Sequence, residues 1–245
     1  MATKLSGPVL VHGGPLFGGG GDSSPAHDVG ALAISSDGRK FRYVFCTPTA
    51  LVAGKLQQGP AEVTAHQNLV PAAAAVGATS VTVALGATVA QANQYAGGFL
   101  LVSGTTAGNG YSYRIKSHLA AAASASAFVI QLDDPLEVAI TTLSKIDLVQ
   151  NPHSGVIVYP STGSGPAVGV AVDVIDAGNY GWIQSGGVVG CLANGALVVG
   201  DSICASNAVA GAVEAFTTGS KQAVVGYAAT GVADTEYGAV YLTID

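Results

Sequence analysis

Hydrophobic and polar residues alternate along this chain in short runs. In "TSVTVAL", residues 79–85, Val81, Val83 and Leu85 alternate with Ser80, Thr82 and Ala84, the period of two that marks a half-buried strand. "YSYRIKSH" sets Tyr111, Tyr113 and Ile115 on one face, and Ser112, Arg114 and Lys116 on the other. In "VGALAISSDGRKFRYVFC", residues 29–46, two such runs flank Asp37-Gly38, the dipeptide of a tight hairpin turn. "GGFLLVSG", "AFVIQLDDPLEVAI" and "KIDLV" continue the series. From residue 167 onward, short apolar runs alternate with turn residues every 8–12 positions, the spacing of a barrel or sandwich. Only the Ala-rich "HLAAAASASA" hints at a helical turn. The pattern predicts an all-β protein of short-strand β-barrel or sandwich modules.

The punctuation divides the chain. Residues 1–28, with "GGPLFGGGGDSSPAHD", carry no apolar period and read as a flexible Gly-rich N-terminal arm. Residues 29–160 read as a β-rich module that includes the hairpin. Gly and Pro thicken across 151–169, and the stretch near 161–166 reads as a connection to a C-terminal barrel-like module, 161–245.

Composition narrows the function. Only 10% of the residues are charged, the net charge is −6, and 34 are Gly. An ordinary soluble protein has about 25% charged residues. So few charges suit a chain that hides surface in an assembly, and the expected state is a homo-oligomer. Nine Lys and Arg without a basic stripe argue against nucleic acid, which is held by phosphate neutralisation. "LVPAAAAVGATSVTVALGATVA", residues 69–90, is uncharged and long enough to span a bilayer. Its Ala, Gly and Thr content, Pro71 and lack of basic flanks argue against a membrane span. The start "MATKLSGPVLVHGG" is too weakly apolar for a secretory signal. Cys46, Cys191 and Cys204 form no C-x-x-C and read as buried thiols of a reducing compartment.

No complete catalytic pattern appears. Gly200-Asp201-Ser202-Ile203-Cys204 lacks the last glycine of a nucleophile elbow and reads as a turn whose Asp binds local backbone. Gly54-Lys55 is followed by Leu56, not by the Ser or Thr of a phosphate loop. Asp133-Asp134 and the Asp173/Asp176 pair are too close in sequence to flank a glycoside. The five His lack metal-ligand spacing. The expectation is a non-enzymatic protein without cofactor or metal. Contact candidates are the arm (residues 1–28), the charge-free middle segment, the basic group Arg39, Lys40 and Arg42 near the hairpin tip, and Tyr180 with Trp182 in "AGNYGWIQSGGVVG". Trp182 reads chiefly as a plug in a glycine-rich strand, with Gln184 exposed or in an interface. A sugar-stacking platform on Tyr180 and Trp182 is the alternative, as a glycan-binding surface module.

Two stretches carry a resemblance. "DVGALAISSDGRKFRYVFCTPTALVAGKLQQ" resembles the start of many tailed-phage virion proteins, with an "xDGRxFRYV" hairpin before "ALxAGxLxQ". The end resembles the β-barrel modules of phage capsid decoration, or cement, proteins: a G-x-x-V-x-x-G-D turn (Gly195 to Asp201), an AG-x-V strand (Ala210 to Val213), a "VGxA" strand (Val225 to Ala228) and a closing strand (Tyr237 to Ile244). It covers roughly residues 28–60 and 160–245. The resemblance implies a coat protein made in a bacterial cytoplasm, binding the major capsid protein of a phage head as a trimer or array. Other virion roles in the same class are a head fibre base, a tail component or a shell subunit.

Overall fold

The computed structural model describes residues 9–11, 18–104, 108–217, 222 and 224–245. The fold is all-β, with one turn of 3-10 helix at Thr64–His66. Two compact units form: residues 1–60 with 152–245, and residues 61–151 between them in sequence.

The first unit holds β1 (Val9–Val11), β2 (Leu32–Ser35), β3 (Lys40–Cys46) and β4 (Leu56–Gln58). The inserted unit contributes β5 (Val70–Pro71), β6 (Ser80–Ala84), β7 (Phe99–Val102), β8 (Ser112–His118), β9 (Phe128–Leu132) and β10 (Ile146–Val149). The first unit resumes with β11 (Ser154–Val158), β12 (Ala167–Ala171), β13 (Tyr180–Leu192), β14 (Ser202–Ala205), β15 (Val213–Ala215), β16 (Val224–Ala228) and β17 (Tyr237–Thr243).

Each unit closes its sheets. In the first, β3, β11, β4, β12 and β13 pair in that order, and β13 returns to β3, making a five-stranded ring without a free edge. Val44, Cys46, Val156, Val168 and Ile183 pack together as one core cluster contributed by these strands. The long β13 then leaves this ring and pairs with β17 from Gly186 to Leu192. The order β13-β17-β16-β14-β15 follows, and an Ala193–Val213 bridge ties the last strand back beyond β13. Leu197, Ile203, Val213, Val225, Val240 and Leu242 fill that second core.

The handover occurs at a bulge between Gln184 and Gly186. Gly187 there has φ +85°, and a Cβ would lie 3.0 Å from Arg39 Cγ, so only glycine fits without strain. The buried Gln184 amide donates to the carbonyls of Gly186 (3.0 Å) and Val188 (2.9 Å). It pins the bend, correcting the expectation of an exposed or interfacial Gln184.

In the inserted unit the order is β10-β7-β8-β9-β6-β5, and Leu69 exchanges two backbone hydrogen bonds with Ile146 of β10 (2.9 and 3.0 Å). Val81, Val83, Tyr113, Ile115, Ile130 and Leu148 fill the interior. The uncharged stretch 69–90 thus supplies β5 and β6, and no helix among the described residues is long and apolar enough to cross a membrane.

Three expectations change. The hairpin 29–46 forms, with Leu32–Arg42 and Ile34–Lys40 opposed, but it belongs to the unit of the C-terminal strands, where β3 pairs with β13. The boundary drawn at 160/161 is replaced by breaks at Pro60/Ala61 and Asn151/Pro152: the Gly/Pro-rich 151–169 contains two strands of the five-stranded ring. The Ala-rich 118–127 forms no helix, since Ala121 pairs with Ala90 and the Ser124 N–H donates to the Gly86 carbonyl.

The arm expectation is corrected for residues 18–28, which are docked. Asp22 exchanges two backbone hydrogen bonds with Tyr180 (2.7 and 2.8 Å), and Gly20 bridges Ile175. The rest of the arm, apart from Val9–Val11 paired parallel to β2, lies outside the described residues.

Candidate assembly surface

β13, β16 and β17 contain no Asp, Glu, Lys or Arg, and their outward side chains form a row. Directly opposed residues on neighbouring strands share a face. Val188 opposes Tyr241, Tyr241 opposes Tyr227, and Tyr227 opposes Ser202. The Phe216 N–H then donates to the Ser202 carbonyl, which brings Phe216 to the end of the row. Tyr237, Ala239 and Thr243 alternate with the core residues on β17 and face the same way. Tyr227, Tyr237 and Tyr241 are each about half exposed (48%, 56% and 50%). Aromatic rings left half in water at neutral positions are what protein interfaces enrich.

A cleft of about 640 Å³ opens beside this row, lined by Ala53, Ala171, Val172, Val188, Tyr237 and Ala239, with Arg39 and Gln184 among its walls. Gly190 faces open space, with no atom within 4 Å of where its Cβ would stand. Rings and hollows therefore adjoin on one face.

The residues singled out from the sequence are placed differently. The Arg39 guanidinium pairs with Asp37 at 2.7 Å and lies 5.5 Å over the Phe41 ring. Ser35 and Arg39 hold the Asp37 carboxyl down at about 2 by hydrogen bonding. Arg42 sits away from the tip: its guanidinium grips Asp245 at 2.6 and 2.9 Å and also donates to the Gly30 carbonyl. This pairing raises the Arg42 pKa and lowers that of Asp245. Lys40 opposes Ile34 and Gly186. The basic group is thus split among separate tasks, and the acidic neighbour of Arg42 belongs to its own chain.

Tyr180 and Trp182 lie opposite Phe45 and Tyr43 on β3. Trp182 is half-buried, with Tyr43 5.0 Å and His27 5.2 Å from it, ring centre to ring centre. Tyr180 packs at 4.7 Å against Phe45 and stacks at 6.1 Å on Tyr43. The Tyr43 hydroxyl donates to Asp22 (2.7 Å) and accepts from the Ala26 N–H (3.1 Å); burial pushes its pKa up. Both candidate platform rings are engaged within the chain.

The inserted unit brings together two histidines that sequence spacing kept apart. His66 Nδ1 meets the Tyr95 hydroxyl, and His66 Nε2 lies 3.0 Å from the Thr88 carbonyl. The Tyr95 N–H donates to His118 Nε2 at 3.0 Å. His118 Nδ1 therefore carries the proton, which it donates to the Leu119 carbonyl at 2.9 Å. Burial lowers the His118 pKa first, and the nearby His66 lowers it further. The two histidines of this core network are 52 residues apart, beyond any local spacing rule.

The Asp201 carboxylate accepts from the Val198 N–H at 2.8 Å, the local turn contact that its sequence context predicts. All three cysteines are buried and none is in a disulfide, and burial pushes the Cys191 thiol up to about 12. Among the described residues, no group of three or more His, Cys, Asp or Glu is placed to hold a metal ion. No family model, curated protein or solved structure matches this chain.

Proposed function

We propose that this chain is a non-enzymatic virion structural protein that decorates the outside of a phage head lattice, with the major capsid protein as partner. One observation carries the reading. The two stretches that resemble phage coat proteins, roughly 28–60 and 160–245, fall in one folding unit, residues 1–60 with 152–245, while the unmatched middle forms the other. A resemblance spread over unrelated fragments would cross that division.

The rest is mechanism. A protein bound only to the closed lattice stabilises it by mass action, and repeated identical contacts add avidity without one strong site.

The test is density-gradient sedimentation of lysate from cells producing the protein in its native setting. Co-migration with megadalton particles at a fixed ratio to a main shell protein is expected. Recovery only as a small free species would overturn the reading.

A further inference from the structure

We propose that the uncharged face of β13, β17 and β16, centred on Tyr241, binds a second copy of this chain. The shell reading supplies the setting, but the contact itself needs only the purified protein.

Charge decides the class of partner. The chain carries a net charge of −6, so two copies repel wherever their ionised surfaces meet. The three strands carry no ionised side chain. An acidic or basic partner finds no counter-charge on these strands, and the cation at the cleft wall, Arg39, is already paired with Asp37, so such a partner loses hydration for little in return. A second copy brings the same neutral face.

Shape agrees. The row Val188–Tyr241–Tyr227 stands beside the open position at Gly190 and the cleft walled by Val172, Val188 and Tyr237. A self-complementary contact needs projections and hollows on one patch, so that a symmetry operation sets each against the other. Buried tyrosines packed into apolar hollows are frequent energetic centres of such contacts.

Area agrees too. Tyr227, Tyr237, Tyr241 and Phe216 are each about half exposed, as are Val188 and Val224. At the ~150–250 Å² that an aromatic side chain buries, these six residues offer about 550 Å². The cleft walls at Ala53, Ala171 and Val172 bring this towards the ~800 Å² per partner of a stable interface.

Sedimentation equilibrium of the full-length chain from ~1 to ~100 μM tests it. The wild type is expected to exceed its monomer mass of 24.1 kDa, with little change at high salt because the contact is uncharged. The double variant Tyr227→Lys, Tyr241→Lys is expected to weaken association by at least ~10-fold. Its far-UV circular dichroism and urea midpoint should match the wild type. Tyr111→Lys, on an exposed tyrosine of the inserted unit, should change nothing. Hydroxyl-radical footprinting of the wild type, dilute and concentrated, guards against a variant that fails to fold: Tyr227, Tyr237 and Tyr241 should be protected and Tyr111 not. A wild type that stays monomeric throughout, an oligomer indifferent to the double variant, or protection elsewhere would each overturn the proposal. Failure in the particle gradient with association intact would strike the shell reading alone.

Discussion

His153 makes the first unit acid-sensitive. It lies near the Arg42–Asp245 pair, and burial holds its imidazole down at about 4 from an ordinary 6.5; the Arg42 charge lowers it further and Asp245 opposes. Because the folded value is the lower one, the unfolded chain binds the extra proton between 6.5 and about 4. Stability is therefore full above 6.5 and falls as pH drops through that window. At ~1.36 kcal/mol per pH unit, the whole gap amounts to about 3 kcal/mol, with about 2 kcal/mol lost by about pH 5. For a urea dependence of ~1–3 kcal/mol per molar, the midpoint should drop by about 1 M. Trp182 is the only tryptophan and lies in this unit, so its fluorescence reports the transition without signal from His118 in the other. Asp245 and Asp37 have folded values below 3.8 and become limiting only at lower pH. His153→Gln should flatten the dependence. A wild-type midpoint that stays level from about pH 7 to about pH 5, or an equal slope in the variant, would show that His153 is not the source of acid sensitivity.

Three other outcomes are expected. Gln184→Leu removes the donor to the buried Gly186 carbonyl and the part-buried Val188 carbonyl at the β13 bend and should cost about 1–3 kcal/mol in urea denaturation. Deleting residues 1–27 takes away His27 and the Asp22 partner of Tyr43, so Trp182 emission should shift to the red while the far-UV spectrum stays β-type. Gly226→Ala sets a Cβ 2.0 Å from the Tyr241 carbonyl oxygen; thermal melting should show a loss of more than about 1 kcal/mol, since that backbone must give way.

The legible parts of the fold were local. The alternation in 80–84 and 112–118 and the Asp37-Gly38 turn each depend on a few neighbouring residues, and each forms the strand or hairpin expected. Closure was not legible, because β3 meets β11 and β13 more than 100 residues away and nothing in either stretch names its partner. The Gly/Pro enrichment near 161–166 does mark a turn, but one between two strands of the same ring. Prolines at 60 and 152 flank the true division. Gln184 misled because polarity in an alternating strand signals water, whereas here the amide serves backbone carbonyls at a bend. The tyrosines of the outer face were visible as strand residues. Their alignment across β13, β17 and β16 depends on register, which the sequence does not spell out.

The insertion of residues 61–151 also bears on how the chain folds. β4 and β11 pair directly, Gln58 with Ile157, although the inserted unit separates them, and Gly59 packs against Pro152 at the neck. While that unit is unfolded, pairing these strands closes a loop of roughly a hundred residues, which costs about 2–3 kcal/mol more than a tight turn. Once it folds with its ends together, the same closure is as cheap as a hairpin. The inserted barrel thus acts as a clasp: folded, it makes the five-stranded ring a local structure; melted, it turns the same ring into a long-range one.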